Sequence, residues 1–189
     1  INLGALRSHL VNFIKVDDIN AGKLMGEYIA SLNHQQVVFL GVSPQDKAVG
    51  VDRYEGFKQG YLANNPQGKI SFVQTDFSFE QAYNLGDTVV SFEPSAVVCA
   101  TDNIALGLLR YFHEKKIHVL QDISLAGFGG YPVGSISYPS LTSLAFDYKH
   151  LGIKTAEKLL SMLQNHPITS EYDHNMNLII RESTQLAKI

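Results

Sequence analysis

Short runs of β-branched and aromatic residues alternate along this chain with longer stretches of helical period, and that alternation restricts the fold more than any single motif. A strand that returns through a helix to a second strand pairs with it in parallel, over a right-handed crossover. Four runs read as strands covered on both faces: Gln36 to Val42, Lys69 to Gln74, Ala96 to Ala100 and Asp122 to Phe128. Apolar residues at helical spacing predict helices between them, over Asn20 to Leu32, Gly50 to Leu62, Phe79 to Phe92 and Asn103 to Lys115. The expectation is an α/β fold whose centre is one complete doubly wound parallel-sheet unit.

The ends do not fit inside that unit. Ile1 to Leu3 and Val11 to Val16 read as strand pieces without a sheet of their own. After the fourth strand come two turn-rich clusters, Gly129-Gly130-Tyr131-Pro132 and Tyr138-Pro139-Ser140. A strand from Leu141 to Phe146, a helix from Asp147 to Gln164 and a strand from Asn177 to Arg181 follow. Such flanks belong to a second, neighbouring unit, so the 189 residues read as a piece of a larger protein.

Charge narrows the function. With 15 Lys and Arg against 18 Asp and Glu, the formal net charge of -3 leaves no basic surplus to neutralise a row of phosphates, which argues against direct nucleic-acid binding by this stretch. No apolar run approaches the roughly 18 residues of a membrane helix, and the N-terminus lacks signal-peptide organisation. A soluble, cytoplasmic protein is expected. The single Cys99 lies in an apolar run and reads as a buried structural thiol.

In a doubly wound sheet, ligands bind outside the carboxyl ends of the strands. Those ends are Gly41 to Lys47, Thr75-Asp76-Phe77, Thr101-Asp102-Asn103 and Phe128 to Tyr131. Their polar groups and aromatics suit a sugar's hydroxyl edges and apolar faces. Arg53 can offer a planar fork to two hydroxyls, a carboxylate or a phosphate. The rival for Arg53 is a surface ion pair with Asp52 or Glu55; for Phe77 it is ordinary packing; for Thr101 and Asp102 it is capping of the next helix. Catalytic and cofactor patterns are weak. Gly127-Phe128-Gly129-Gly130 starts like a dinucleotide fingerprint, but Pro132 takes the place of the third glycine and no helix is expected after it. The seven histidines show no metal-ligand spacing, and no acid/base pair stands out. Binding without chemistry, with no cofactor and no metal, is the reading; the rivals are a small α/β enzyme and a sugar receptor of a transport or chemotaxis system.

Three segments carry a resemblance: Ala100-Thr101-Asp102-Asn103-Ile104-Ala105-Leu106-Gly107, Asp122-Ile123-Ser124-Leu125-Ala126-Gly127-Phe128 and Pro139-Ser140-Leu141-Thr142-Ser143-Leu144. Asp17-Asp18, Arg53-Tyr54-Glu55-Gly56-Phe57 and Ile180-Arg181-Glu182-Ser183-Thr184 add to it. In order and spacing the chain resembles the C-terminal effector-binding region of LacI/GalR transcriptional repressors, and Phe128 to Pro132 is most similar to repressors of sucrose-type operons. The resemblance implies a type I periplasmic-binding-protein-like fold of two subdomains. Residues 1–16 and 145–176 would belong to the N-terminal subdomain, and 17–144 with 177–189 to the C-terminal one. It implies an effector site of Arg53, Phe77, Thr101, Asp102, Phe146, Lys47 and Asn2. Gly129 stands where many members present an aspartate to sugar hydroxyls, which argues against a plain free hexose and brings a phosphorylated or larger sugar into view. The resemblance also implies a homodimer built on Leu106, Leu109, Arg110, Tyr131, Val133 and Tyr138. Operator DNA would be read only by a helix-turn-helix domain outside these residues.

Overall fold

The computed structural model describes residues 12–188. Asn2, the Ile1 to Leu3 strand and Val11 lie outside the described residues. Among the described residues, eight strands and seven α-helices follow in chain order. These are β1 (Ile14–Val16), α1 (Asp18–Ser31), β2 (Gln36–Gly41), α2 (Arg53–Asn64), β3 (Lys69–Gln74), α3 (Phe79–Asn84), α4 (Gly86–Val90), β4 (Ala96–Cys99) and α5 (Asp102–Glu114). Then come β5 (Ser124–Gly129), α6 (Pro132–Ile136), β6 (Thr142–Phe146), α7 (Tyr148–Leu163), β7 (Glu171–Asp173) and β8 (Met176–Ile179).

Six strands form one sheet in the order β3-β2-β4-β5-β6-β8. Its first five strands are parallel, and β8 runs antiparallel to β6. The order reverses between β2 and β4, so these two neighbours send their crossovers to opposite faces and leave a crevice at their carboxyl ends. The sheet continues through Ala145 and Phe146, which pair with Asn177 and Met176. A second, two-stranded sheet pairs β1 with β7 in parallel. The sequence offered no signal for β7, three residues with two carboxylates.

The central strands show why they are legible. β4 is wholly buried, and β2 is buried from Val37 onward, as strands with helices on both faces must be. Phe39, Phe57, Tyr61, Phe112 and Phe128 are the large buried side chains of the core. Cys99 is fully buried in β4, and burial pushes its thiol well above the usual range, as a structural cysteine requires.

Three expectations are corrected. Phe79 to Phe92 is two helices, with the break at Leu85 and Gly86. The Gly86 backbone lies against the Tyr111 ring, where a Cβ would come within 2.2 Å. The helix expected from Gly50 begins as a π-helical turn over Lys47–Asp52, capped by Asp46. A helix does follow the glycine pair after β5: α6, one turn long, with Pro132 at its start where the missing N–H costs nothing.

Helices α1 and α2 pack at unusually close range. A Cβ on Gly22 would lie 2.0 Å from the Arg53 carbonyl oxygen, and one on Gly56 2.0 Å from the Ile19 carbonyl oxygen. Gly26 and Gly60 repeat the contact one turn further along. This interlock brings the first residues of both helices together, and those residues carry Asp18 and Arg53.

Candidate functional site

Asp17 caps α1 by accepting from the Asn20 N–H at 3.1 Å. That leaves Asp18 free for a different task. Its Oδ1 accepts from Arg53 Nε at 3.1 Å and Nη2 at 2.5 Å. Arg53 Nη1 donates to the Ala100 carbonyl at 2.6 Å, at the carboxyl end of β4. The guanidinium lies 4.9 Å from the Phe128 ring centroid and 5.2 Å from that of Phe146. Arg53 is 6% exposed, so the surface pair with Asp52 or Glu55 is replaced by a buried pair with Asp18. Three of its five N–H groups are used in this way, and the other two have no partner among the described residues.

Asp52, at the end of the π-helical turn, meets Lys15 of β1 at 3.5 Å. The Lys15 ammonium also lies 5.1 Å from the Tyr172 ring centroid. Both groups are buried, and the pair joins the small sheet to the turn that leads into α2. Two buried cations near the crevice are thus each matched by a carboxylate. Lys47 is exposed at the first position of the π-helical turn.

Thr101 caps α5: its Oγ1 accepts from the Ile104 N–H at 3.3 Å. Asp102 does not cap. Fully buried, it accepts from Ser143 Oγ at 2.6 Å and from the Tyr131 N–H at 2.8 Å, so it ties α5 to β6 and to the loop after β5. Burial raises its carboxyl pKa against the pull of these donors and of the Gly130 N–H. Phe77 is 48% exposed and therefore not a packing residue; Asn103 Nδ2 donates to its carbonyl oxygen at 2.7 Å and holds the loop after β3 against α5. Thr75 Oγ1, at the carboxyl end of β3, is buried with no hydrogen-bond partner among the described residues.

The structure therefore gathers Arg53, Thr101, Asp102, Gly129 and Phe146 at one end of the sheet, with Phe77 on the neighbouring loop. Sequence reasoning missed Asp18, Lys15 and Tyr148. Two acidic residues at a helix start, of which one suffices as a cap, were the available signal for Asp18.

The residues expected to pair two copies divide. Leu106 is half-buried, and Arg110 is exposed in an ion pair with Glu114 at 2.5 Å. Val133 and Tyr138 are 45% and 91% exposed. Leu109 is 9% exposed and belongs to the core of its own subunit, because it lies on the flank of α5 beside Leu108. Tyr131 folds back over Gly129 and stacks near Tyr148, with ring centroids 6.5 Å apart. A surface groove of about 600 Å³ runs between Leu109, His113, Ile117, Tyr138 and Pro139, near the start of β5 and away from the crevice. Among the described residues no cluster of His, Cys, Asp and Glu could hold a metal, and no helix is long and apolar enough to cross a membrane.

Residues 27–184 match the profile of the periplasmic binding protein-like domain family. The sucrose operon repressor of Staphylococcus xylosus is 35% identical over 156 residues, which cover 80% of this chain and 47% of the repressor. The lactose operon repressor of Escherichia coli is 27% identical over 179 residues, covering 92% and 48%. The chain spans about half the length of these curated relatives. A LacI family transcriptional regulator from Enterococcus faecium, solved with bound ribose, superposes with a TM-score of 0.90 at 24% identity, covering 97% of this chain and 69% of that one. The doubly wound sheet and the matched profile agree: the chain belongs to the periplasmic binding protein-like domain family, and it is similar to about half the length of these sugar-operon repressors.

Proposed function

We propose that this chain binds a sugar or sugar phosphate in the crevice outside β2, β4, β5 and β6, and through that binding governs the DNA affinity of a larger cytoplasmic regulator. The observation that carries the reading is Arg53. It is buried at the point where the strand order reverses, oriented by Asp18 and the Ala100 carbonyl, with two donors to spare. A planar donor fork held in place loses little freedom on meeting two adjacent hydroxyls. The sugar-operon names of the relatives support the same ligand class. The reading contains no catalytic step: effector binding shifts the population of inter-subdomain closures by its difference in affinity for them.

Thermal-shift screening of the chain against sugars and sugar phosphates tests this. A ligand at about 100 times its Kd adds roughly 2.7 kcal/mol of stability. A ligand-dependent rise in Tm that disappears in Arg53→Ala is expected; no rise with any sugar overturns the reading. Pairing of two copies uses Leu106, Arg110, Val133 and Tyr138 around the groove beside Leu109. Sedimentation of the chain is expected to show a dimer, and Tyr138→Arg a monomer.

A further inference from the structure

Two buried ion pairs stand on the consecutive residues Asp52 and Arg53, where the π-helical turn meets α2, and they face different parts of the molecule. Arg53 turns to Asp18 of α1, inside the body of the large sheet. Asp52 turns to Lys15 of β1, in the small sheet. The chain passes between these two bodies at three crossings, from β1 into α1, from β6 into α7 and from β7 into β8. Backbone bonds tie the crossings together: the Asp17 N–H donates to the Asp173 carbonyl and the Asp147 N–H to the Asn175 carbonyl, each at 3.1 Å. Helix α7 is held on the small sheet by Lys154 and Lys158, which both meet Glu171 of β7. Lys15, two residues before the first crossing, reaches past it to the turn ahead of α2.

The two pairs differ in how firmly they are made. Asp18 Oδ1 accepts two N–H groups of Arg53, at 3.1 and 2.5 Å, whereas Lys15 Nζ meets one oxygen of Asp52 at 3.5 Å. Lys15 also has a second place to rest on its own sheet. Side-chain alternation puts it on the same face of β1 as Phe13, and the parallel register sets it beside Tyr172. Its ammonium lies 6.0 and 5.1 Å from the two ring centroids, and the rings meet edge to face at 5.3 Å. Both rings move with Lys15 whenever the small sheet moves, and their faces attract a cation without a counter-ion. Lys15 and Asp52 are 5% and 6% exposed, so parting them with no such refuge would strand buried charge. The ammonium therefore has two defined sites, one on Asp52 and one withdrawn onto the rings, as a releasable contact requires.

We propose that Lys15–Asp52 is a latch between the small sheet and the start of α2, and that Lys15 is thereby a positioning residue for the crevice. With the latch made, the small sheet is held against the turn that leads to Arg53, and a ligand touching both bodies meets them already apposed. Ligand and latch favour the same arrangement, so each strengthens the other by the same factor. This coupling rests on the sugar-binding reading above; the latch itself does not.

Amide hydrogen exchange is followed without ligand in the 189-residue chain and in Lys15→Met, Asp52→Asn, the double variant and Lys15→Arg. Expected is about tenfold faster exchange over residues 12–17 and 169–175 in each single variant, with β4 and β5 within about twofold of the parent. The double variant, with neither charge left, should exchange no faster than either single one, and Lys15→Arg should stay within about threefold of the parent. Unchanged exchange in the single variants overturns the latch. So do equal increases in β4 and β5, which make the pair a general prop of the fold, and a double variant in which the two increases multiply. Calorimetric titration of sucrose and D-fructose 6-phosphate tests the coupling: binding about tenfold weaker is expected in Lys15→Met, and at most about threefold weaker in Lys15→Arg. Affinity within about twofold of the parent in Lys15→Met overturns the positioning role while the sugar reading stands. A parent chain that binds neither sugar overturns the positioning role and the sugar reading together, and the exchange result alone then decides the latch.

Discussion

The two ends of the large sheet are built on opposite principles. At the carboxyl end, backbone groups are satisfied by charged side chains, a glycine pair adopts positive φ, and aromatic rings stand partly exposed. At the amino end, the last residues of the chain close the edge. The Ser183 hydroxyl accepts from the Thr142 N–H at 2.8 Å and donates to the Leu125 carbonyl at 2.6 Å, while the Leu125 N–H donates to the Ser183 carbonyl at 2.7 Å. His34, 2% exposed, bridges Ser95 Oγ and the Gln185 carbonyl, each at 3.0 Å. The Tyr61 hydroxyl and the Asn65 amide donate to the His34 carbonyl. One end is sealed for stability; the other is the end at which we propose that the ligand binds.

If that division holds, variants at the carboxyl end change binding and stability together, whereas those at the amino end change stability alone. The largest effect is expected for Asp18→Ala. It leaves the Arg53 charge buried without its carboxylate, a loss of about 3–5 kcal/mol in denaturant unfolding, and frees the guanidinium to leave the crevice. Sugar affinity should fall with it; unchanged affinity would remove Arg53 from the site. Next, Ser183→Ala strands the Thr142 N–H and the Leu125 carbonyl. It should cost about 1–3 kcal/mol while sugar Kd stays within twofold. A larger change in Kd would show that the two ends are coupled.

The smallest expected effect is a pH dependence carried by His34. Burial lowers its pKa below 6.5, against the raising effect of the Gln185 carbonyl, so the folded chain keeps the ring neutral where the unfolded chain takes up a proton. Its contribution is therefore intact above pH 6.5 and declines as pH falls through 6.5 toward the lowered folded value. The slope is at most about 1.4 kcal/mol per pH unit. His34→Gln should lower Tm at pH 7.5, with the difference narrowing by pH 5.5; a constant difference would break the assignment.

The same division explains what the sequence revealed. β2, β4 and β5 were readable because strands buried on both faces become continuous apolar runs, and α5 because its apolar residues keep helical spacing. The carboxyl end was readable as loops but not as contacts. Asp18 and Arg53 lie 35 residues apart and meet only because Gly22, Gly26, Gly56 and Gly60 let two helices touch. The neighbours Asp52 and Glu55 looked like the obvious partners. Phe79 to Phe92 hid its break because Gly86 is required by a ring that arrives from α5. The fold of Tyr131 over Gly129 depends on a positive φ that Gly-Gly permits but does not specify. Phe77 stays exposed on its loop, which sets aside ordinary packing as its role.

The π-helical turn at Lys47–Asp52 has a further consequence. The glycine contacts fix the rotational phase of α2, and one residue more or fewer ahead of an ordinary α-helix turns what precedes it by about 100°. A wider turn absorbs such a residue locally. The stretch after β2, with Lys47 in it, is thereby a place where one residue can be added or removed while the arginine behind it keeps its aim.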